Sequence, residues 1–139
     1  MNGRLGLPSQ LALLVLRLWV GLNFALRHGL EKARDPEYFL ESIEMRRFPW
    51  PEILGWCAIV AELAGGALLA VGFQTRVAAA ALCATMLGAA YVALDGASWD
   101  QRELPLTYAA VLFFIAVYGA GPFSLDARID RLKRRQNPW

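Results

Sequence analysis

Residues 53–75 read ILGWCAIVAELAGGALLAVGFQT. A single acidic side chain, Glu62, interrupts an otherwise apolar run from Ile53 to Thr75. Roughly 20 apolar residues, at about 1.5 Å rise each, cross a hydrocarbon core near 30 Å thick. The segment therefore reads as a transmembrane helix with a charge near its middle, and such a charge is normally paired or functional. The pattern recurs along the chain. Arg17 interrupts an apolar run from Leu5 to Leu26, and the runs Val77–Leu94 and Leu104–Leu125 contain no Asp, Glu, Lys or Arg.

The composition agrees. Of 139 residues, 57% are hydrophobic and 19% charged, where a soluble domain of this size would show amphipathic stripes instead of near-continuous apolar blocks. The predicted fold is an all-α membrane protein, a single domain spanning residues 1–139. It is an antiparallel bundle of four transmembrane helices at about 8–29, 51–72, 76–94 and 104–120. Phe73-Gln74-Thr75 is so short a link that the second and third helices must form a hairpin. In the first outer loop, Asp35-Pro36-Glu37 reads as a cap, a first-turn proline and an acidic first turn. Phe39, Leu40, Ile43 and Phe48 then recur at helical spacing, so a short amphipathic helix is predicted over the outer mouth of the bundle. The first apolar block is too long for a cleaved signal and reads as a retained signal-anchor.

A net charge of +2 gives no reason to expect nucleic acid as a partner. Basic residues do gather at Arg128, Arg131, Lys133, Arg134 and Arg135, in a tail at 126–139. Such a cluster beside a span favours a cytoplasmic position on anionic lipid, which puts both termini inside. Cys57 and Cys83 lie in different spans at different depths, with no CxxC, so neither a dithiol nor a zinc site is expected.

The candidate site residues follow from the buried charges. Arg17 lies roughly 13 Å in from the inner face and Glu62 roughly 15 Å from the same face. At one depth on adjacent antiparallel helices, the two are expected to form a buried ion pair. With Asn23 and Thr85 they are the cavity candidates. The pair either fixes helix register or lines a polar cavity for a quinone head group, a proton path or a small anion. His28, Glu31 and Lys32 share a face at i, i+3 and i+4 and, with Glu103 at the start of the last span, form the outer mouth. Arg76 opens the third helix at the inner face, where a cation opposes the helix dipole, so lipid phosphate, Asp126 or Glu62 is expected to hold it. One histidine with scattered carboxylates predicts no metal site.

The ordered set Arg17-Leu18, His28-Gly29-Leu30-Glu31-Lys32, Ala61-Glu62-Leu63-Ala64-Gly65-Gly66, Gly72-Phe73-Gln74-Thr75-Arg76, Thr85-Met86 and Gly119 through Asp126 resembles the DoxX family of small four-helix bacterial membrane proteins. The resemblance implies a bacterial cytoplasmic (inner) membrane location. It also implies a component of redox systems, since relatives are linked to thiosulfate:quinone oxidoreductase and to complexes for thiol and oxidative-stress defence. Arg17, Lys32, Glu62 and Arg76 match the family's polar positions, and His28 matches a subset of members. Many relatives carry a histidine near the outer end of the third helix, where this chain reads Ala90-Tyr91-Val92-Ala93-Leu94.

Two readings of function result. In the first, the chain is an integral membrane subunit of an oxidoreductase complex that interacts with quinone, with electrons supplied by a partner protein. In the second, it is a non-enzymatic scaffold, chaperone or small-solute carrier. No covalent cofactor is expected in either, catalytic residues are unassigned, lipid is a partner in both, and a homo-oligomer is compatible with both.

Overall fold

The computed structural model describes residues 6–46, 49–94 and 96–136, and among the described residues there is no strand. Helix α1 (Leu7–Arg34) carries Pro8 in its first turn, where a missing amide costs nothing. Asp35 ends it and caps α2 (Pro36–Met45), its carboxylate accepting the Tyr38 amide at 3.1 Å. Helix α3 (Pro51–Val71) closes on Gly72 at φ +73°, with the Gly72 and Phe73 amides turning back to Leu68. Helix α4 (Thr75–Val92) follows at once, then α5 (Trp99–Tyr118) and α6 (Leu125–Gln136).

Among the described residues, three helices are long and apolar enough to cross a membrane, namely α1, α3 and α4. Helix α5 packs along α4. Two boundaries differ from expectation. Helix α1 runs on to Arg34 instead of stopping near Gly29, and α5 starts at Trp99, five residues ahead of the expected 104, so Pro105 is interior. Hydropathy marks the part of a helix that hydrocarbon can hold, whereas backbone hydrogen bonding continues until a cap interrupts it. A short helix, α2, occupies the segment where an amphipathic helix was expected; Phe48, expected to contribute to it, lies outside the described residues.

Glycines set the packing of α1 on α3. A Cβ on Gly66 would lie 2.5 Å from the Ala25 amide nitrogen, and one on Gly29 would lie 2.5 Å from that of Leu63. The two backbones touch at positions only glycine can fill, the small-residue contact by which helices associate in lipid. The core continues through Val20, Phe24, Leu69, Leu82, Leu112 and Ile115. Among the described residues three helices widen into π turns, at Asn23–Gly29, Ala61–Gly65 and Ala89–Ala93, and the first two face each other. Such turns insert an extra residue and often mark functional sites.

Candidate functional site

Glu62 sits in the π turn of α3 and is 1% exposed. Its partner is Lys32, whose ammonium lies 2.6 Å from each carboxylate oxygen. Lys32 is 25% exposed and also lies 4.7 Å from the centre of the Phe39 ring, presented by α2. The carboxylate is therefore neutralised from α1 while the amphipathic helix covers the cation.

The expected pair between Arg17 and Glu62 does not form. Gly29 of α1 abuts Glu62 and Leu63, whereas Gly21 abuts Gly66 and Ala70. This register puts Arg17 about 18 Å along the axis from the level of Glu62. The side chains also diverge, because each leans toward the N-terminus of its own helix and the helices are antiparallel. Arg17, 2% exposed, turns to the other end of the bundle. Its guanidinium donates to the Ala120 and Phe123 carbonyls and lies against Gly72. It thereby ties the 119–124 loop to α1, beside the end of α3. Its Nε has no hydrogen-bond partner among the described residues.

Asp126 completes this second cluster. Its carboxylate accepts the Gln74 amide at 2.9 Å, the Thr75 amide at 3.0 Å and the Thr75 hydroxyl at 2.9 Å, capping α4. Burial pushes this carboxyl up, but the three hydrogen bonds and nearby Arg17 outweigh that and leave it below the ordinary carboxylate value. Arg76 is not held by Asp126 or by Glu62; it is exposed and its guanidinium lies over Gly119.

A cavity of 600 Å³ opens beside the Lys32–Glu62 pair. Phe39 and Ile43 of α2, Leu54, Ala58 and Ala61 of α3, and Ala81, Ala84, Gly88 and Val92 of α4 form its walls. Thr85 lines it too, donating its hydroxyl proton to the Leu82 carbonyl at 2.8 Å and leaving lone pairs for a guest. Cys57, Ala81 and Ala84 are exposed, so the cavity opens on the side of the bundle.

Of the other sequence candidates, Asn23 does not line the cavity and donates to the Trp19 carbonyl at 2.9 Å within its own helix. His28 also turns away, packing with Phe24 and edge-on to Tyr108 of α5, with ring centres 5.5 and 6.4 Å away. Glu31 and Glu103 are exposed, and Glu103 forms no hydrogen bond or ion pair with His28 or Lys32. Of the cavity lining, Glu62, Lys32 and Thr85 were legible in the sequence, whereas the Ala and Gly positions were not, because they carry no chemical signal. Phe39 had one, its place on the predicted amphipathic helix.

A protein of Haemophilus influenzae, described only as uncharacterized, is 30% identical over 136 residues, covering 91% of this chain and 89% of the relative. No solved structure matches. The DoxX family model matches residues 12–95, which contain α2, α3, the Lys32–Glu62 pair and every wall of its cavity. On this match over more than half of its length, the chain belongs to the DoxX family, as a membrane protein.

Proposed function

We propose that this chain is an integral membrane subunit of a redox system, with four spans in a bacterial cytoplasmic membrane, that receives a quinone beside Lys32 and Glu62. The observation that carries this reading is the make-up of the cavity, 600 Å³ of mostly apolar wall with one buried ion pair and one hydroxyl. Ligand pockets of about 300–1,000 Å³ use this division, apolar walls for affinity and a few polar groups for orientation. A quinone has the matching division, an apolar ring and tail with polar carbonyls. The side opening at Cys57, Ala81 and Ala84 suits a guest that arrives from the bilayer.

A quinone supplies two-electron, two-proton chemistry when bound. Lys32 points two N–H groups at Glu62 and keeps a third for a carbonyl of the guest. Glu62 holds that ammonium in place through both carboxylate oxygens. The electron donor is assigned to a partner oxidoreductase, of the thiosulfate or thiol type that family membership suggests.

Mass spectrometry of quinones extracted from protein purified in mild detergent tests the proposal. Near-stoichiometric quinone in the native chain, lost in Lys32→Met/Glu62→Leu, is expected. A native protein that carries no quinone would sink the reading and leave the pair as a clasp in a scaffold, chaperone or solute carrier.

A further inference from the structure

A second cavity, of 460 Å³, lies at the other end of the bundle, between residues 73–76, the 119–121 turn and α6. Arg76 and Lys133 both line it. Among the described residues Arg76 makes no hydrogen bond or ion pair, although it stands in the first turn of α4, where a cation opposes the helix dipole. Room is kept for it by Gly119, whose φ is +98° and on which a Cβ would lie 3.3 Å from the Arg76 Nε. The Asp126 carboxylate on the cavity wall is already used in capping α4, so it does not answer Arg76. Asp130 is the remaining acid there.

The flanks of this cavity are those of a lipid contact. Phe73 and Tyr118 line it and are both exposed. Along α6, Leu125, Ile129 and Leu132 fall on one stripe at i, i+4 and i+7, and both leucines are exposed. The same helix carries Arg128, Arg131, Lys133, Arg134 and Arg135 against only Asp126 and Asp130. A short basic amphipathic helix joined directly to a membrane bundle lies in the plane of an anionic surface.

We propose that this cavity binds the phosphate of an anionic phospholipid between Arg76 and Lys133, with the acyl chains over Phe73 and Tyr118 and α6 flat on the headgroups. The inference does not depend on the quinone reading, because it uses the opposite end of the bundle. Native mass spectrometry of the full chain in detergent tests it, with titrations of phosphatidylglycerol, phosphatidylcholine and inorganic phosphate. Phosphatidylglycerol is expected to bind in preference to phosphatidylcholine. Arg76→Gln/Lys133→Gln is expected to weaken it about tenfold, the loss of charge-assisted hydrogen bonds. Asp130→Asn should tighten binding, a change that a purely structural role would not produce. Thermal unfolding without lipid should not fall in Arg76→Gln/Lys133→Gln, since among the described residues Arg76 makes no hydrogen bond or ion pair and its charge opposes the helix dipole. Equal binding of the two lipids, unchanged phosphatidylglycerol affinity in Arg76→Gln/Lys133→Gln, or equal affinity for inorganic phosphate would each overturn the proposal.

Discussion

Glu62 and Lys32 are unequal partners. The Glu62 side chain is 1% exposed, whereas that of Lys32, a long flexible stem ending in the ammonium, is 25% exposed. Removing Lys32 strands a fully buried carboxylate; removing Glu62 leaves a cation that can move toward water. Lys32→Met is therefore expected to cost about 3–5 kcal/mol, and Lys32→Met/Glu62→Leu much less, because the double change removes both desolvation penalties. Reversible unfolding in detergent across the full double-mutant cycle measures this, and equal losses in the single and double variants would count against the pairing. At this scale the sequence was half legible. A lone Glu in an apolar run announces a buried charge, but the identity of its partner depends on helix register, which no local pattern encodes. Lys32 was visible as part of an outer-mouth cluster with His28 and Glu31 and as a polar position shared with the family it resembles, but neither sign named Glu62 as its partner.

Register itself belongs to the helices, and a few glycines decide it. Ala64-Gly65-Gly66-Ala67 reads as a uniform small face, yet the neighbouring glycines differ sharply. A Cβ on Gly66 would meet the Ala25 nitrogen at 2.5 Å and the Gly21 oxygen at 2.8 Å, backbone atoms that cannot step aside. On Gly65 the nearest atom is Leu82 Cγ at 3.5 Å, an ordinary contact. Gly66→Ala is thus expected to force α1 and α3 apart, at about 1–3 kcal/mol or more. Gly65→Ala should be neutral or stabilising by up to about 1 kcal/mol, through helix propensity. Melting temperatures of the two variants in one detergent check this, and a tolerated Gly66→Ala would refute the backbone contact. The π turns at Asn23–Gly29 and Ala61–Gly65 sit in this same interface. They were not legible, since an i→i+5 turn has no composition of its own and is stabilised by the helix packed against it.

Across the whole molecule, the two buried charges hold opposite ends. Lys32–Glu62 joins α1 to α3 beneath α2, while Arg17 binds the 119–124 loop to α1 and Asp126 binds the start of α6 to the α3–α4 hairpin. In lipid, where the hydrophobic effect does not draw helices together, such polar ties and close backbone contacts supply much of the cohesion. We propose, from the basic α6, that this second end lies in the cytoplasm, since positive charge near short connections is retained there. A reporter fused after residue 139 is expected to be active in the cytoplasm, and periplasmic activity would reverse the orientation. That the chain is an all-helical membrane protein, and that Arg17 and Glu62 demand partners, could be read from residue order alone. Hydropathy and the cost of a bare charge in hydrocarbon act locally and leave their mark on every segment. That Glu62 meets Lys32, that Arg17 ties down a loop about a hundred residues away in sequence, and that small residues enclose a cavity were settled only by how the helices pack. Glycine contacts fix the sliding of one helix against the next, and a shift of a single turn, about 5.4 Å, exchanges one partner for another.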